Sequence, residues 1–184
     1  GIGRLAEVPE IEYIEKPKRL FFAVNRGKAA SCFLGLPGGA ADSAGRETSG
    51  APLTGRGIIV ALIDSGVDYF HPDFRNEDGS TRILALWDQT VSAGKPPEGF
   101  RQGTEFSREE IDQALGSGSR GAGYGIVPSE DRSGHGTQVL GIAAGNGNAS
   151  GGRYAGGAPE SQILAVKLGV PGEGDFPSTT QLMQ

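Results

Sequence analysis

The sequence predicts an α/β fold built on a parallel β-sheet. Two short apolar runs, residues 58–63 and 162–168, are bounded by turn-forming residues, as buried parallel strands are. Between them, residues 135–145 carry apolar side chains at helical spacing and stop at a glycine. A strand, a helix and a second strand in this order form a βαβ unit, for which a parallel sheet is the economical arrangement.

Length and composition fit one such domain or part of a larger one. The chain has 184 residues, a formal net charge of -5, and 32 glycines without a collagen-like period. An acidic chain with interspersed charges argues against nucleic acid and against an anionic membrane surface as partners. No apolar run approaches the ~20 residues that span a bilayer. The only cysteine, Cys32, cannot form an intrachain disulfide, and an incidental thiol is the favoured interpretation.

The part of the chain before the first apolar run falls into two segments. Residues 11–15 alternate apolar and charged side chains, which predicts a half-buried strand, and Pro17 makes it an edge strand or a bend. Residues 35–57 are rich in Gly, Ala, Ser and Pro and are interpreted as an extended arm or linker. The apolar run that follows is expected to be a central strand covered on both faces.

Shorter elements are predicted between the two apolar runs. Residues 83–87 are expected to form a strand. Ser107 and Glu110 match a capping box, which predicts a helix that runs to Leu115. Residues 116–121 match a glycine-rich dinucleotide pattern by letter, but no apolar strand precedes them and no helical pattern follows. A mobile surface loop over residues 116–125 is therefore the favoured interpretation.

Two residues at the ends of predicted elements carry the chemistry. Asp64 ends the first apolar strand, and the functional crevice of an open α/β sheet lies beyond such strand ends. His135 stands between two glycines at the start of the predicted helix. An aspartate can hold an imidazole in one tautomer, and the imidazole can then take up and return a proton near neutral pH. The ordered pair predicts two members of a Ser-His-Asp triad.

Longer motifs surround both residues. Residues 60–68 read VALIDSGVD and are followed by HPDF at 71–74, which resembles the aspartate motif of the subtilisin-like serine proteases, or subtilases. Residues 134–145, GHGTQVLGIAAG, resemble the histidine motif of that family, with Gln138 where most members have a second histidine. The resemblance covers about residues 54–184. It implies part of the subtilisin-like three-layer parallel-sheet fold and a serine endopeptidase that hydrolyses peptide bonds.

The serine motif of that family, G-T-S-x-[AP], is absent from the chain. Ser133 lies two residues from His135, which is too close for a nucleophile. We expect a truncated chain, with the serine beyond Gln184, that is inactive alone. The alternative is a catalytically inactive pseudoprotease that binds a partner or signal through the same cleft. A metal site of Asp64, His71 and His135 is a weaker third interpretation, because no H-E-x-x-H spacing exists.

The resemblance also divides the chain into domains. Residues 1–31 resemble the C-terminal part of an α+β subtilase propeptide, which in that family is an intramolecular chaperone and a product-like inhibitor. Residues 32–55 are then a linker, and residues 56–184 are a partial catalytic domain. The implied partners are a peptide or protein substrate and the chain's own propeptide. Autoprocessing is expected between Asn25 and Phe33.

A calcium site is implied by the same resemblance. Asp73 and Asn148 match calcium-ligand positions of many subtilases, and carboxylate, amide and carbonyl oxygens suit calcium. The alternative is an unoccupied loop, because residues 146–152 carry no carboxylate. Catalysis itself requires no cofactor in this interpretation.

Two further assignments concern the substrate and the branch of the family. A segment past the second apolar strand resembles the edge that binds a peptide by strand addition; it consists of Gly172, Glu173 and Gly174. Residues 86–90, LWDQT, lie in a long polar insertion and resemble the branch of subtilases involved in spore germination. That branch implies a secreted or spore-associated bacterial protein.

Overall fold

The structure, a computed structural model, describes residues 53–169. Its strands in that range are β1 (Ile59–Asp64), β2 (Ile83–Asp88), β3 (Thr104–Ser107) and β4 (Gln162–Lys167). Its helices are α1 (Arg108–Leu115), α2 (Arg120–Tyr124) and α3 (His135–Ala144), with short 3-10 helices at Pro72–Phe74 and Asn148–Ser150. The predicted propeptide, most of the predicted linker, Cys32 and the segment Gly172, Glu173 and Gly174 lie outside the described residues.

The four strands form one mostly parallel sheet in the order β1-β4-β2-β3. Strand β4 pairs in parallel with both β1 and β2, and β3 pairs antiparallel with β2. The predicted α/β class and the parallel pairing of the two apolar runs are confirmed. Strand β3 was not predicted, because its four residues lie in a polar stretch and gain their strand conformation from pairing with β2.

One face of the sheet carries the core. Alternate residues of the strands point to this face and are buried, as the period of a strand requires. Helices α1 and α3 add their own buried side chains to the same cluster, which includes Leu62, Ile83, Leu86, Phe106, Ile111, Ala114, Leu140, Ala144, Ile163 and Ala165. The helices therefore cover the face on which Asp64 also lies, since Gly136 of α3 approaches the Asp64 side chain.

The opposite face of the sheet is exposed within residues 53–169. Ile59 and Ile63 of β1 are 55% and 63% exposed, and Leu164 of β4 is 37% exposed. The expectation of a central strand covered on both faces is thus not met in the described part of the chain, where β1 is an edge strand. An apolar run indicates that a strand is suited to burial, but it does not say which segment supplies the cover.

The helix starts follow local capping rules. Ser107 Oγ accepts a hydrogen bond from the Glu110 backbone N–H, and Glu110 Oε2 accepts one from the Ser107 backbone N–H, so the predicted capping box is confirmed. The predicted surface loop 116–125 is partly wrong, because it contains α2. A β-carbon on Gly123 of α2 would overlap the Phe70 ring, so this stretch packs against the domain. Among the described helices, none is long and apolar enough to cross a membrane.

Candidate active site

Asp64 and His135 meet at the carboxyl edge of the sheet. Asp64 is the last residue of β1, and His135 is the first residue of α3. Nδ1 of His135 lies 2.7 Å from Oδ1 of Asp64, a distance typical of a charge-assisted hydrogen bond. Because a carboxylate can only accept, Nδ1 carries the proton and Nε2 is left as the basic atom. The His135 side chain is 62% exposed, so it stands open at the rim of the crevice.

Backbone contacts fix the position of the Asp64 carboxylate. The Ser65 backbone N–H donates to the same Oδ1 atom at 2.7 Å. The Asp64 carbonyl accepts from the Leu168 backbone N–H at 2.8 Å, which extends the pairing of β1 and β4 past their ends. The carboxylate is therefore held on a rigid strand end rather than on a free loop.

Two glycines allow the helix to approach the strand end. Gly66, two residues after Asp64, has φ of 127°, a conformation that side-chain-bearing residues rarely adopt. A β-carbon on Gly136 would overlap the carbonyl oxygen of Gly66 and would lie 3.2 Å from Asp64 Cβ. The glycine that follows His135 is thus required by close contact with the turn after β1.

Ser133 belongs to the backbone network at the start of α3. Its Oγ donates to Ser65 Oγ at 2.7 Å and accepts from the His135 backbone N–H at 3.1 Å. Ser65 Oγ in turn accepts from the Gly136 backbone N–H at 3.0 Å. These bonds are in line with the exclusion of Ser133 as a nucleophile, because its hydroxyl joins the two segments that carry Asp64 and His135.

Asp131 is a residue of the site that the sequence motifs did not identify. Its Oδ1 accepts from Ser65 Oγ at 2.8 Å and from the Gly134 backbone N–H at 3.0 Å. Its Oδ2 accepts from the backbone N–H and the hydroxyl of Thr137 at 2.8 and 2.6 Å. Gly134, the N-cap residue of α3, has no side chain to cap the helix, and Asp131 takes that role from three residues upstream.

The hydrogen bonds of Asp131 also set its protonation. Burial raises the pKa of the Asp131 carboxyl, but the bonds from Thr137, Ser65 and Gly134 outweigh it and hold that pKa below its usual value. Asp131 is therefore a charged cap at a helix N-terminus, where negative charge is favoured. An acidic residue shortly before a glycine N-cap is the sequence signal that could have identified it.

Helix α2 is tied to the same site through Asp68. Both terminal nitrogens of Arg120 bind the Asp68 carboxylate at 2.9 Å, and the hydrogen bond to Asp68 raises the pKa of Arg120. The Asp68 backbone N–H donates to Thr137 Oγ1 at 2.8 Å. The polar insertion between Asp64 and His135 is thus joined, through Asp68, to the first turn of α3.

His71 has a structural role. Its Nδ1 accepts from the Asp73 backbone N–H at 3.2 Å, so it caps the first 3-10 helix, and its ring contacts Phe74. No group of three or more His, Cys, Asp or Glu side chains within residues 53–169 could hold a metal ion. The interpretation of Asp64, His71 and His135 as a metal site is therefore wrong for the described part of the chain.

The predicted calcium ligands, Asp73 and Asn148, are hydrogen-bonded to backbone groups of the protein. Asp73 Oδ1 accepts from the Ala149 backbone N–H at 2.7 Å, and Asn148 Nδ2 donates to the Arg75 carbonyl at 3.4 Å. The buried guanidinium of Arg82 donates to the Asp73 carbonyl at 2.8 Å. In this arrangement Asp73 Oδ1 and the Asp73 carbonyl each accept from an N–H group, so these two oxygens are engaged with protein groups. Calcium binding stays a prediction of the resemblance.

An aspartate and a histidine in this chain order, joined on an α/β sheet, form the arrangement of subtilisin-type serine hydrolases. The sequence profile of the Subtilase family matches residues 55–184. The chain belongs to the subtilase family, as its two motifs predicted. The assignment to the spore-germination branch stays a prediction.

Individual relatives agree with the family assignment. Subtilisin of Bacillus sp. (strain TA39) is 30% identical over 172 residues, which cover 91% of this chain and 31% of that protein. Subtilisin-like protease SBT2.2 of Arabidopsis thaliana is 30% identical over 148 residues, or 73% of this chain and 17% of that protein. The solved structure of the Clostridium perfringens CspB protease is 36% identical, with a TM-score of 0.58 over 71% of this chain and 25% of that chain. The chain thus spans less than a third of the length of each.

Proposed function

We propose that this chain carries the aspartate and the histidine of a subtilisin-like serine endopeptidase. Asp64 orients His135, and His135 acts first as general base and then as general acid. The observation that supports the proposal most directly is the 2.7 Å contact between His135 Nδ1 and Asp64 Oδ1, with the imidazole exposed at the sheet edge. Peptide and protein substrates are the class that the family implies.

The proposed chemistry needs a serine that the motifs of this chain do not supply. That serine attacks the peptide carbonyl while its hydroxyl proton passes to Nε2 of His135. The Asp64 carboxylate stabilises the imidazolium that forms. The same proton then goes to the leaving amine, and water repeats the cycle on the acyl-enzyme. We propose that the isolated chain is inactive for this reason.

A pseudoprotease is the second candidate function. In that case the cleft beside His135 binds a partner without cutting it, and the Asp64–His135 pair persists as part of the fold. Replacement of the serine in the protein that carries this chain would support this candidate.

The remaining assignments are proposals that rest on the resemblance. Residues 1–31 are proposed as the end of a propeptide and residues 32–55 as a linker, so the catalytic unit begins near residue 56. The segment Gly172, Glu173 and Gly174 is proposed to pair with the substrate backbone. A secreted or spore-associated location is proposed with them. N-terminal sequencing of the matured protein tests the first of these, because a start between Asn25 and Phe33 is expected.

Peptidase assays on the protein that carries this chain test the main proposal. His135→Ala and Asp64→Asn are each expected to lower kcat by about 10³-fold or more, as in other triad enzymes. His71→Gln is the matched control, because His71 is the other histidine of the chain and caps the 3-10 helix Pro72–Phe74. Full activity in either of the first two variants would contradict the proposed roles.

A further inference from the structure

Four charged or titratable side chains form a row at the carboxyl edge of the sheet. Lys167 ends β4 and is the register partner of Asp64 on one side and of Asp88 on the other. Neighbouring strands lie about 4.8 Å apart, and register partners point to the same face. His135 of α3 contacts Asp64, so the order of side chains along the edge of the sheet is His135, Asp64, Lys167 and Asp88.

The lysine of this row is buried and paired with only one of its two acidic neighbours. Lys167 Nζ lies 3.0 Å from Asp88 Oδ2, with Lys167 8% exposed and Asp88 fully buried. The other oxygen of Asp88 accepts from the backbone N–H and the hydroxyl of Thr90 at 2.8 and 2.6 Å. The Asp88 carboxylate is therefore held in place to receive the ammonium group.

The lysine side chain also lies close to the turn that follows Asp64. A β-carbon on Gly66 would lie 3.1 Å from Lys167 Cδ and 3.4 Å from Asp131 Cβ. Asp64, Asp131 and Asp88 are thus the carboxylates that face Lys167 from β1, from the segment before α3 and from β2. Asp131 is already occupied by the hydroxyl and backbone donors of Ser65, Gly134 and Thr137.

We propose that Asp88 is a positioning residue for the Asp64–His135 pair. By binding Lys167, it keeps the ammonium group away from Asp64, so that Asp64 Oδ1 remains with His135 Nδ1. Without Asp88, a buried and unpaired ammonium group must find a new anion, because leaving it unpaired is costly. Asp64 is the adjacent carboxylate, and an ion pair with Lys167 competes with its hydrogen bond to His135.

This proposal gives a role to the LWDQT segment, residues 86–90, that the main function leaves unused. Leu86 packs in the core. Asp88 binds the ammonium group of Lys167, and the Thr90 hydroxyl donates to the Asp88 carboxylate and fixes its orientation. The Gln89 backbone N–H also donates to the Lys167 carbonyl at 3.0 Å, which holds β2 to the end of β4. The expected effect of Asp88 on catalysis rests on the proposed function, whereas its expected effect on the Asp64–His135 contact does not.

The experiment follows the imidazole Nδ1–H proton of His135 by NMR in the 184-residue chain. The chain has two histidines, and Nδ1 of His71 is an acceptor, so this resonance belongs to His135 and should vanish in His135→Gln. Asp88→Asn keeps the size of the side chain and removes its charge. It is expected to shift the resonance upfield or lose it to exchange with water, because Lys167 draws Asp64 away.

The double variant Asp88→Asn/Lys167→Met removes the competing cation and is expected to restore the resonance to its wild-type position. Asp78→Asn, which removes an exposed carboxylate before β2, is the control and is expected to change nothing. An unchanged resonance in folded Asp88→Asn would overturn the proposal. Loss of the resonance in the double variant would also overturn the proposal. Because the double variant replaces the ion pair by neutral side chains, it decides the question if the single variant does not fold.

The measurement is independent of catalysis. It needs no serine and no peptidase activity, so failure of the proposed function would leave it valid. In an active parent protein, Asp88→Asn is expected to lower kcat about tenfold or more with little change in KM. The double variant is expected to recover most of that loss, which a merely structural role of Asp88 would not predict.

Discussion

Gly136 lies against Gly66 with no room for a side chain between them. A β-carbon on Gly136 would overlap the carbonyl oxygen of Gly66, at the point where the first turn of α3 meets the turn after β1. Because His135 precedes one of these glycines and Asp64 lies two residues before the other, this contact sets the distance between the imidazole and the carboxylate.

The first prediction tests this contact. Gly136→Ala is expected to destabilise the domain by about 2 kcal/mol or more, because α3 must move away from the backbone of the turn after β1. Gly141→Ala in the same helix is the matched control, since nothing lies within 4 Å of its β-carbon position. It is expected to stabilise by about 0.5–1 kcal/mol through helix propensity. Urea unfolding of both variants measures the difference, and equal effects would contradict the contact.

The second prediction concerns the loss of folding stability at acid pH. The pKa of Asp131 is lower in the folded protein than in the unfolded chain, where it is about 3.9. Its contribution to stability is therefore fully present above the unfolded pKa and is lost as the pH falls through the folded pKa. Asp131→Asn is expected to flatten the dependence of Tm on pH in that window. An Asp131→Asn profile parallel to wild type down to pH 2 would contradict the charged cap.

The third prediction concerns Tyr69, whose ring is buried and whose hydroxyl donates to the Val127 carbonyl at 3.0 Å. Burial raises the pKa of Tyr69, so the neutral form is favoured in the fold and its contribution to stability is lost only at strongly alkaline pH. Tyr69→Phe is expected to cost about 1 kcal/mol near neutral pH, because it leaves a carbonyl unpaired. Tyr154→Phe, at an exposed ring, is the control with no expected change.

The fourth prediction concerns the capping box of α1. Ser107→Ala removes the acceptor for the Glu110 backbone N–H and is expected to destabilise by about 1 kcal/mol. Ser107→Asp keeps an acceptor at the N-cap and is expected to retain most of the stability. Thermal unfolding of the two variants distinguishes loss of the cap from loss of packing, and equal losses would rule out the cap.

The elements that could be predicted are those whose sequence pattern matches their own local environment. The strands β1 and β4 are apolar and bounded by turns, and α3 carries apolar side chains at helical spacing. The strand-end rule for α/β sheets placed Asp64 at the crevice, whereas His135, at the start of α3, was predicted as its partner from the two motifs that resemble those of subtilases. The 2.7 Å contact between the two residues agrees with both expectations.

The elements that could not be predicted depend on partners distant in sequence. Strand β3 and helix α2 form in polar stretches because they pack on β2 and Phe70. The position of Lys167 between Asp64 and Asp88 depends on the register of three strands, which hydrophobic pattern alone does not fix.

Labelling of the protein that carries this chain by a serine-directed fluorophosphonate tests the role of the Asp64–His135 pair. We expect one serine to react in the wild type and the labelling rate to fall by about 10³-fold or more in His135→Ala, with His71→Gln unaffected. Labelling that is independent of His135 would contradict the proposed role of the Asp64–His135 pair. Absence of any labelled serine would instead identify a pseudoprotease.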